Sequence, residues 1–343
     1  MDSQSDLEQV AQISLKIFNS LPKTGKPNSN EWTVLSCIVK EENCKFEAIA
    51  LGTGSKCIGK SKMSSKGDIL NDSHAEIICR RAFLLYLFDQ ISNCLKNDQS
   101  VFKFDATLSK FSLKEVKFHF FTTLIPCGDA SIFPKNSLSD LSVGDLVISE
   151  SSKAKSGVKR SSNSKDSVRK KLMHNSEDIF RTGAKCLIGD DRQDSHEEGA
   201  GYHITGVVRT KPGRGDPTLS VSCTDKMTKW CHLGIQGAIL SLLLKEPIYL
   251  VSLVVAKNSP YSEDSLKRAF HQRLHNVQMV SPFKSTLPIC YQSKDAEFGF
   301  QKDEHKDACP SSIIWFSSKN CKGKTIEVAI DGKKQGVTKK TRI

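Results

Sequence analysis

Apolar positions at Val10, Ile13, Leu15, Ile17 and Phe18 recur with helical spacing and predict an amphipathic helix over Leu7 to Ser20, followed by a Pro/Gly/Asn loop to Asn30. Glu31 to Val39 and Cys44 to Leu51 are rich in β-branched and apolar residues. With the polar turn Lys40 to Asn43 between them, they predict two paired strands. After a Gly/Ser/Lys-rich stretch, Gly52 to Gly67, Asp72 or Ser73 is placed to cap a helix. Its apolar positions are Ile77, Ile78, Phe83, Leu84, Leu87, Phe88 and Ile91. Glu115 to Ile125 reads as a strand that ends at Pro126, where a second helix can begin. Trp230 to Leu244 reads as a mostly apolar helix leading into a strand over Ile248 to Val255; Pro260 to Gln272 predicts another helix, and Thr325 to Ile330 a short strand before a basic tail. Alternating helices and strands favour an α/β sheet core.

One segment breaks the pattern. Ser151 to Lys171 is dominated by Ser, Lys and Arg, with too little apolar surface to offset the entropy of ordering, and predicts a mobile basic insert at about residues 151–175. No internal repeat is visible, and residues 1–343 are expected to form a single domain. The longest apolar runs, Ala238 to Leu244 and Ile248 to Ala256, fall short of the ~20 residues of a membrane-spanning helix. The polar, acidic start MDSQSDLEQV lacks the features of a secretion signal, so the expected location is intracellular, in cytoplasm or nucleus. There the 12 cysteines are expected to be reduced unless they bind metal. A net charge of +12 favours a polyanionic partner, because Lys and Arg neutralise phosphates and release counterions.

The chemistry concentrates in His74-Ala75-Glu76 at a helix start and Pro126-Cys127 at a strand end. His and Cys are zinc ligands, and a Glu two residues after the His can shuttle protons without ligating; this pairing is the known signature of zinc nucleobase deaminases. The compact C-x-x-C of the smaller deaminases is absent, since Cys127 is followed by Gly128, Asp129 and Ala130. Cys223 is the best candidate for a third ligand, with Cys79, Cys186 and Cys231 weaker ones.

Five stretches, GTGSKCIG from Gly52, NDSHAEIICRRAF from Asn71, IPCGDASIF from Ile125, VSCTDKMTKW from Val221 and GIQGAILS from Gly234, together resemble the deaminase domain of the adenosine deaminases acting on RNA. The likeness runs from about Trp32 to Gly336. It implies a cytidine-deaminase-like mixed sheet flanked by helices, with zinc at helix N-termini held by His74, Cys127 and Cys223, and Glu76 as the proton-transferring carboxylate.

RTGAKC from Arg181, KPGRGD from Lys211 and the lack of a double-stranded-RNA-binding domain ahead of the core point to the tRNA-specific branch. That branch implies as target the adenosine just 3′ of the anticodon of an alanine tRNA. In the Gly213-Arg214-Gly215 loop the duplex-editing relatives carry Glu where this chain has Arg214, and Lys56 falls in the family's substrate-side loop.

The resemblance further implies a buried inositol hexakisphosphate, with ligands at Asn71, Ile77, Arg80, Arg81, Ser220, Lys226, Lys229, Trp230, Gln236 and Lys333. Family members continue beyond Lys333 and Lys334 with further helices, so the C-terminal end is expected to be incomplete. The alternatives are cytidine deamination, duplex-RNA editing and a catalytically silent RNA-binding subunit.

Overall fold

The computed structural model describes residues 4–135, 178–213, 215–319 and 325–335. Its centre is an eight-stranded mixed sheet. Across the sheet the strands run Ile289–Gln292, Ser252–Val255, Lys117–Thr122, Leu35–Glu42, Lys45–Thr53, Ser311–Phe316, Ile326–Ile330 and Lys333–Lys334. Ser252–Val255 pairs in parallel with both of its neighbours, and the remaining pairings are antiparallel. The expected mixed sheet flanked by helices is what forms.

Period-2 alternation sends successive side chains to opposite faces. On one face Leu35, Cys37, Val39, Phe121 and Val254 pack against Leu7, Val10, Ala11 and Phe18 of the helix Gln4–Ser20. On the other, Ile38, Phe118, Phe120 and Leu253 pack against Phe83 and Leu87 of the helix Ala75–Leu95 and against Met227 and Trp230. Both faces of the sheet are therefore covered, as a sheet containing buried parallel strands requires. Among the described residues, no helix is long and apolar enough to cross a membrane.

Several elements differ from the sequence expectation for local reasons. The first hairpin closes over Asn43 and Cys44, both left-handed (φ 51° and 59°), so its strands run closer to the turn than expected. Neither Asp72 nor Ser73 caps the long helix; both lie in the short strand Asp72–His74, and His74 occupies the N-cap in extended backbone. The helix expected at Pro126 is one 3₁₀ turn, Asp129–Ser131, because Gly128 (φ 110°, ψ −144°) turns the chain away from helical geometry. The helix expected over Trp230 to Leu244 is two helices, Cys223–Leu233 and Gly237–Leu243, separated at Gly234 (φ 77°) and Gly237 (φ 76°). The predicted basic insert lies outside the described residues.

One close approach fixes where the site is built. A Cβ at Gly52 would lie 2.2 Å from the backbone nitrogen of Cys79 and 2.6 Å from the carbonyl oxygen of Ala75, so the sheet touches the first turn of the helix that carries Glu76. Overpacking of this kind costs about 1–3 kcal/mol. Gly52→Ala is expected to lower the urea unfolding midpoint accordingly, and an unchanged midpoint contradicts this account of the packing.

Candidate metal centre and active site

Three chain segments meet at the end of the sheet. Asp72–His74 pairs with Ser55–Cys57, which sets His74 opposite Ser55 immediately before the helix Ala75–Leu95. Lys117–Thr122 runs out through Ile125, whose amide donates to Ser259 Oγ at 2.9 Å, to Cys127. Cys223 opens the helix Cys223–Leu233, capped by Ser222, whose Oγ accepts from the Asp225 amide at 3.1 Å. Gly128 lets the second and third segments touch, since a Cβ there would meet Ser222 Oγ at 2.3 Å.

His74 Nδ1 lies 3.5 Å from Cys223 Sγ and 3.9 Å from Cys127 Sγ, and all three potential ligand atoms fall within 4.8 Å of one another. Tetrahedral zinc, with bonds of about 2.3 Å to sulfur and about 2.0 Å to nitrogen, requires N···S near ~3.6 Å and S···S near ~3.8 Å. The donor set and its spacing fit that ion with a fourth position to spare. His74 and Cys223 stand at helix N-termini, as expected, whereas Cys127 precedes only the 3₁₀ turn. The other cysteines considered lie elsewhere: Cys79 contacts the Ala50 carbonyl, Cys186 sits in the strand Lys185–Cys186, and burial pushes Cys231 up to about 12.

Glu76 is 3% exposed on the first helical turn beside this cluster. Burial raises its carboxyl above the usual carboxylate value, while His74 and Lys211 pull it back. The two thiols behave as a pair. Cys127 is held well below its ordinary value by the hydrogen bond to Cys223 and then by Lys211 and His74, whereas burial and the charge of Cys127 raise Cys223.

Sequence reasoning missed the groups that hold this arrangement. Lys211, 1% exposed, donates from Nζ to Asp72 Oδ1 at 2.8 Å and to Cys223 Sγ at 3.0 Å. Asp72 also accepts from Lys226 and from the His74 amide, the latter at 3.1 Å. Burial alone would raise Asp72, but Lys211, His74 and Lys226 outweigh it and hold the carboxyl well below its usual range. Burial likewise opposes the charge on Lys211, and Cys223 with Asp72 reverses the effect. The chain Lys226–Asp72–Lys211–Cys223 thus links the cluster to its surroundings through fully paired charges. Lys211 and Asp72 were visible only as part of a motif and as a cap candidate, with no local signal of burial.

Behind the cluster a cavity of about 570 Å³ is walled by Ile77, Arg80, Lys226, Lys229, Trp230 and Phe283, among others. The Arg80 guanidinium lies over Trp230, 5.7 Å from the ring centroid, and donates from Nε to the Ile235 carbonyl at 2.9 Å. Five expected polyphosphate ligands therefore share one wall.

The other five do not line it. Arg81 is exposed and borders a separate groove. Gln236 spends its amide on Leu233, Ser241 and the Ile248 amide. The Asn71 and Ser220 carbonyls accept from Ile58 and Lys211, and Lys333 lies exposed in the edge strand Lys333–Lys334. Lys56 pairs with Asp331 at 3.6 Å next to the cluster strand, and Arg214 is outside the described residues.

Residues 50–343 match the adenosine-deaminase (editase) domain. The chain belongs to that family. This editase domain is 38% identical over 339 residues to tRNA-specific adenosine deaminase 1 of Drosophila melanogaster, an alignment covering 97% of this chain and 76% of the relative. It is 33% identical over 426 residues to the Homo sapiens protein of the same name, covering 97% and 84% respectively. Similarity to the double-stranded RNA-specific adenosine deaminase of Mus musculus is lower, 28% over 272 residues, with 76% of this chain and 20% of the relative covered.

Removing the Lys211 ammonium leaves Asp72 and the thiolate without their shared partner, and losses of this kind weaken metal binding about 10–100-fold. Lys211→Met is expected to lower zinc affinity by that factor in competition with a chromophoric chelator. Wild-type affinity in a folded variant contradicts a supporting role.

Proposed function

We propose that this chain is a zinc-dependent hydrolase that converts adenosine to inosine in tRNA. The observation that carries the reading is the convergence of His74, Cys127 and Cys223 with the buried Glu76 beside them, in a member of the editase family. Similarity to relatives named for tRNA supports the substrate class. The resemblance of the motifs to the tRNA branch carries the finer reading, with the adenosine 3′ of the anticodon of an alanine tRNA as the target and an intracellular site of action, in cytoplasm or nucleus.

His74, Cys127 and Cys223 hold the ion. When bound, zinc supplies Lewis acidity that lowers the pKa of water toward neutrality. Glu76 accepts a proton from the attacking water and returns it to the purine ring. Adenosine and water thus give inosine and ammonia, with C6–O formed and C6–N6 broken. Burial favours this role because it brings the protonated form of Glu76 within easier reach. The presence of Glu76 argues against a silent subunit, and the long separation of Cys223 from Cys127 argues against cytidine deamination.

Two loops form the substrate side. Asp216 Oδ2 accepts from the Ser61 amide at 2.9 Å and from Ser61 Oγ at 2.5 Å, and the Lys60 amide donates to the Pro217 carbonyl at 2.8 Å. Asp216 and Pro217 are thereby tied to the Lys56–Lys62 segment, where cations gather for phosphate contacts. The cationic cavity behind the cluster takes a polyphosphate such as inositol hexakisphosphate, whose charge neutralises Arg80, Lys226 and Lys229.

Loss of a general acid–base group costs about 10²–10⁴-fold. Glu76→Gln is therefore expected to reduce inosine formation in a total tRNA pool by at least that factor while zinc content stays at the wild-type level. Undiminished inosine in the variant, or none from the zinc-loaded wild type, contradicts the proposal.

A further inference from the structure

A second cavity opens beside the metal cluster, and the geometry points to it as the seat of an unstacked nucleobase flanking the adenosine that reacts. The inference rests on the RNA-deaminase reading above. The cavity has a volume of about 350 Å³, and of the cluster residues only Cys127 is in its wall; His74, Glu76 and Cys223 are not. It therefore borders the reacting centre on the Cys127 side, away from Glu76.

The walls have the chemistry that single-stranded RNA recognition uses, which is aromatic faces for stacking and polar groups for base edges. Trp32, Phe133 and Phe180 supply the rings, with Phe133 and Phe180 packed at a centroid distance of 4.9 Å. Trp32 is held by backbone on both sides. Its strand Glu31–Trp32 pairs with Asp307–Ala308, and the Thr33 amide donates to the Phe300 carbonyl at 3.0 Å.

Next to Phe300 in the same wall stands Gln301, whose Nε2 is buried and has no hydrogen-bond partner. A buried donor left unpaired is destabilising, so this amide marks where an acceptor belongs. The carbonyl oxygens and ring nitrogens of a nucleobase edge are such acceptors.

The rim fits a phosphodiester as well. Lys302 lies over the Trp32 ring, 5.9 Å from its centroid, and makes no ion pair among the described residues. Arg181 stacks on Tyr202 at 4.0 Å, with its charge partly offset by Asp178 at 3.3 Å. Aromatic walls, an orphaned donor at depth and cations at the mouth, continuous with the reacting centre, match one nucleotide of the same RNA strand.

The test uses the full chain and a fluorescein-labelled anticodon stem–loop of alanine tRNA, with versions carrying an abasic site at each nucleotide flanking the target. Stacking and edge contacts of this kind correspond to losses on the order of tenfold in affinity, so Gln301→Leu and Trp32→Ala are each expected to raise Kd by about that factor. One abasic RNA should lose more affinity for the wild type than either substitution costs, and about tenfold less of that loss should remain in Gln301→Leu, where only stacking is left to remove. If Trp32→Ala fails to fold, Gln301→Leu, which keeps side-chain bulk, decides alone.

Wild-type affinity of Gln301→Leu for the intact RNA overturns the inference. So do abasic losses that are as large in the variant as in the wild type at every position. A wild type that shows this coupling but makes no inosine refutes the deaminase reading and leaves the binding site standing.

Discussion

The site depends on one buried ammonium. Lys211 Nζ sits between the Asp72 carboxylate and the Cys223 sulfur, and each of these belongs to a different segment of the chain. Burying a charge is tolerable only where partners replace water, and removing one partner of such a set typically costs about 3–5 kcal/mol. Lys211 therefore does two things at once. It favours thiolate character at the metal cluster, and it fixes the strand that ends at His74 relative to the helix that begins at Cys223. Glu76, two residues beyond His74, is placed by the same constraint, with Gly52 letting the sheet approach its helix.

Asp72 carries this constraint outward. Its second oxygen is taken by Lys226, whose other side faces the cationic cavity shared by Arg80 and Lys229. The cavity wall and the metal cluster are thus joined by direct contacts through three side chains, Lys226, Asp72 and Lys211. The basic character of the chain, +12 overall, thus serves more than attraction to RNA. Part of it is internal and matched by a few acids, and part lies on the Lys56–Lys62 loop that Asp216 fastens in place.

What could be read in the sequence follows from what is local. His74 caps the helix whose first turn carries Glu76, and Pro126-Cys127 follows a strand whose apolar pattern is plain, so both halves of the signature were visible by spacing. Cys223 lies 96 residues from Cys127 and was assigned by likeness to a family and not by geometry. Lys211 is 139 residues from Asp72, and no local pattern distinguishes a buried lysine before a proline from an exposed one. The helix expected at Pro126 failed because a single glycine conformation overrode the pattern. Of the positions expected to hold a polyphosphate, Ile77, Arg80, Lys226, Lys229 and Trp230 lie on two helices that line one cavity, while Asn71, Arg81, Ser220, Gln236 and Lys333 are not among its lining residues.

Zinc K-edge X-ray absorption on the purified chain tests the central claim most directly. The account predicts one zinc per chain, with one nitrogen and two sulfur ligands and an oxygen completing the shell, and loss of one sulfur in Cys223→Ser. A site with four sulfurs, or a sulfur count unchanged by Cys223→Ser, would contradict it.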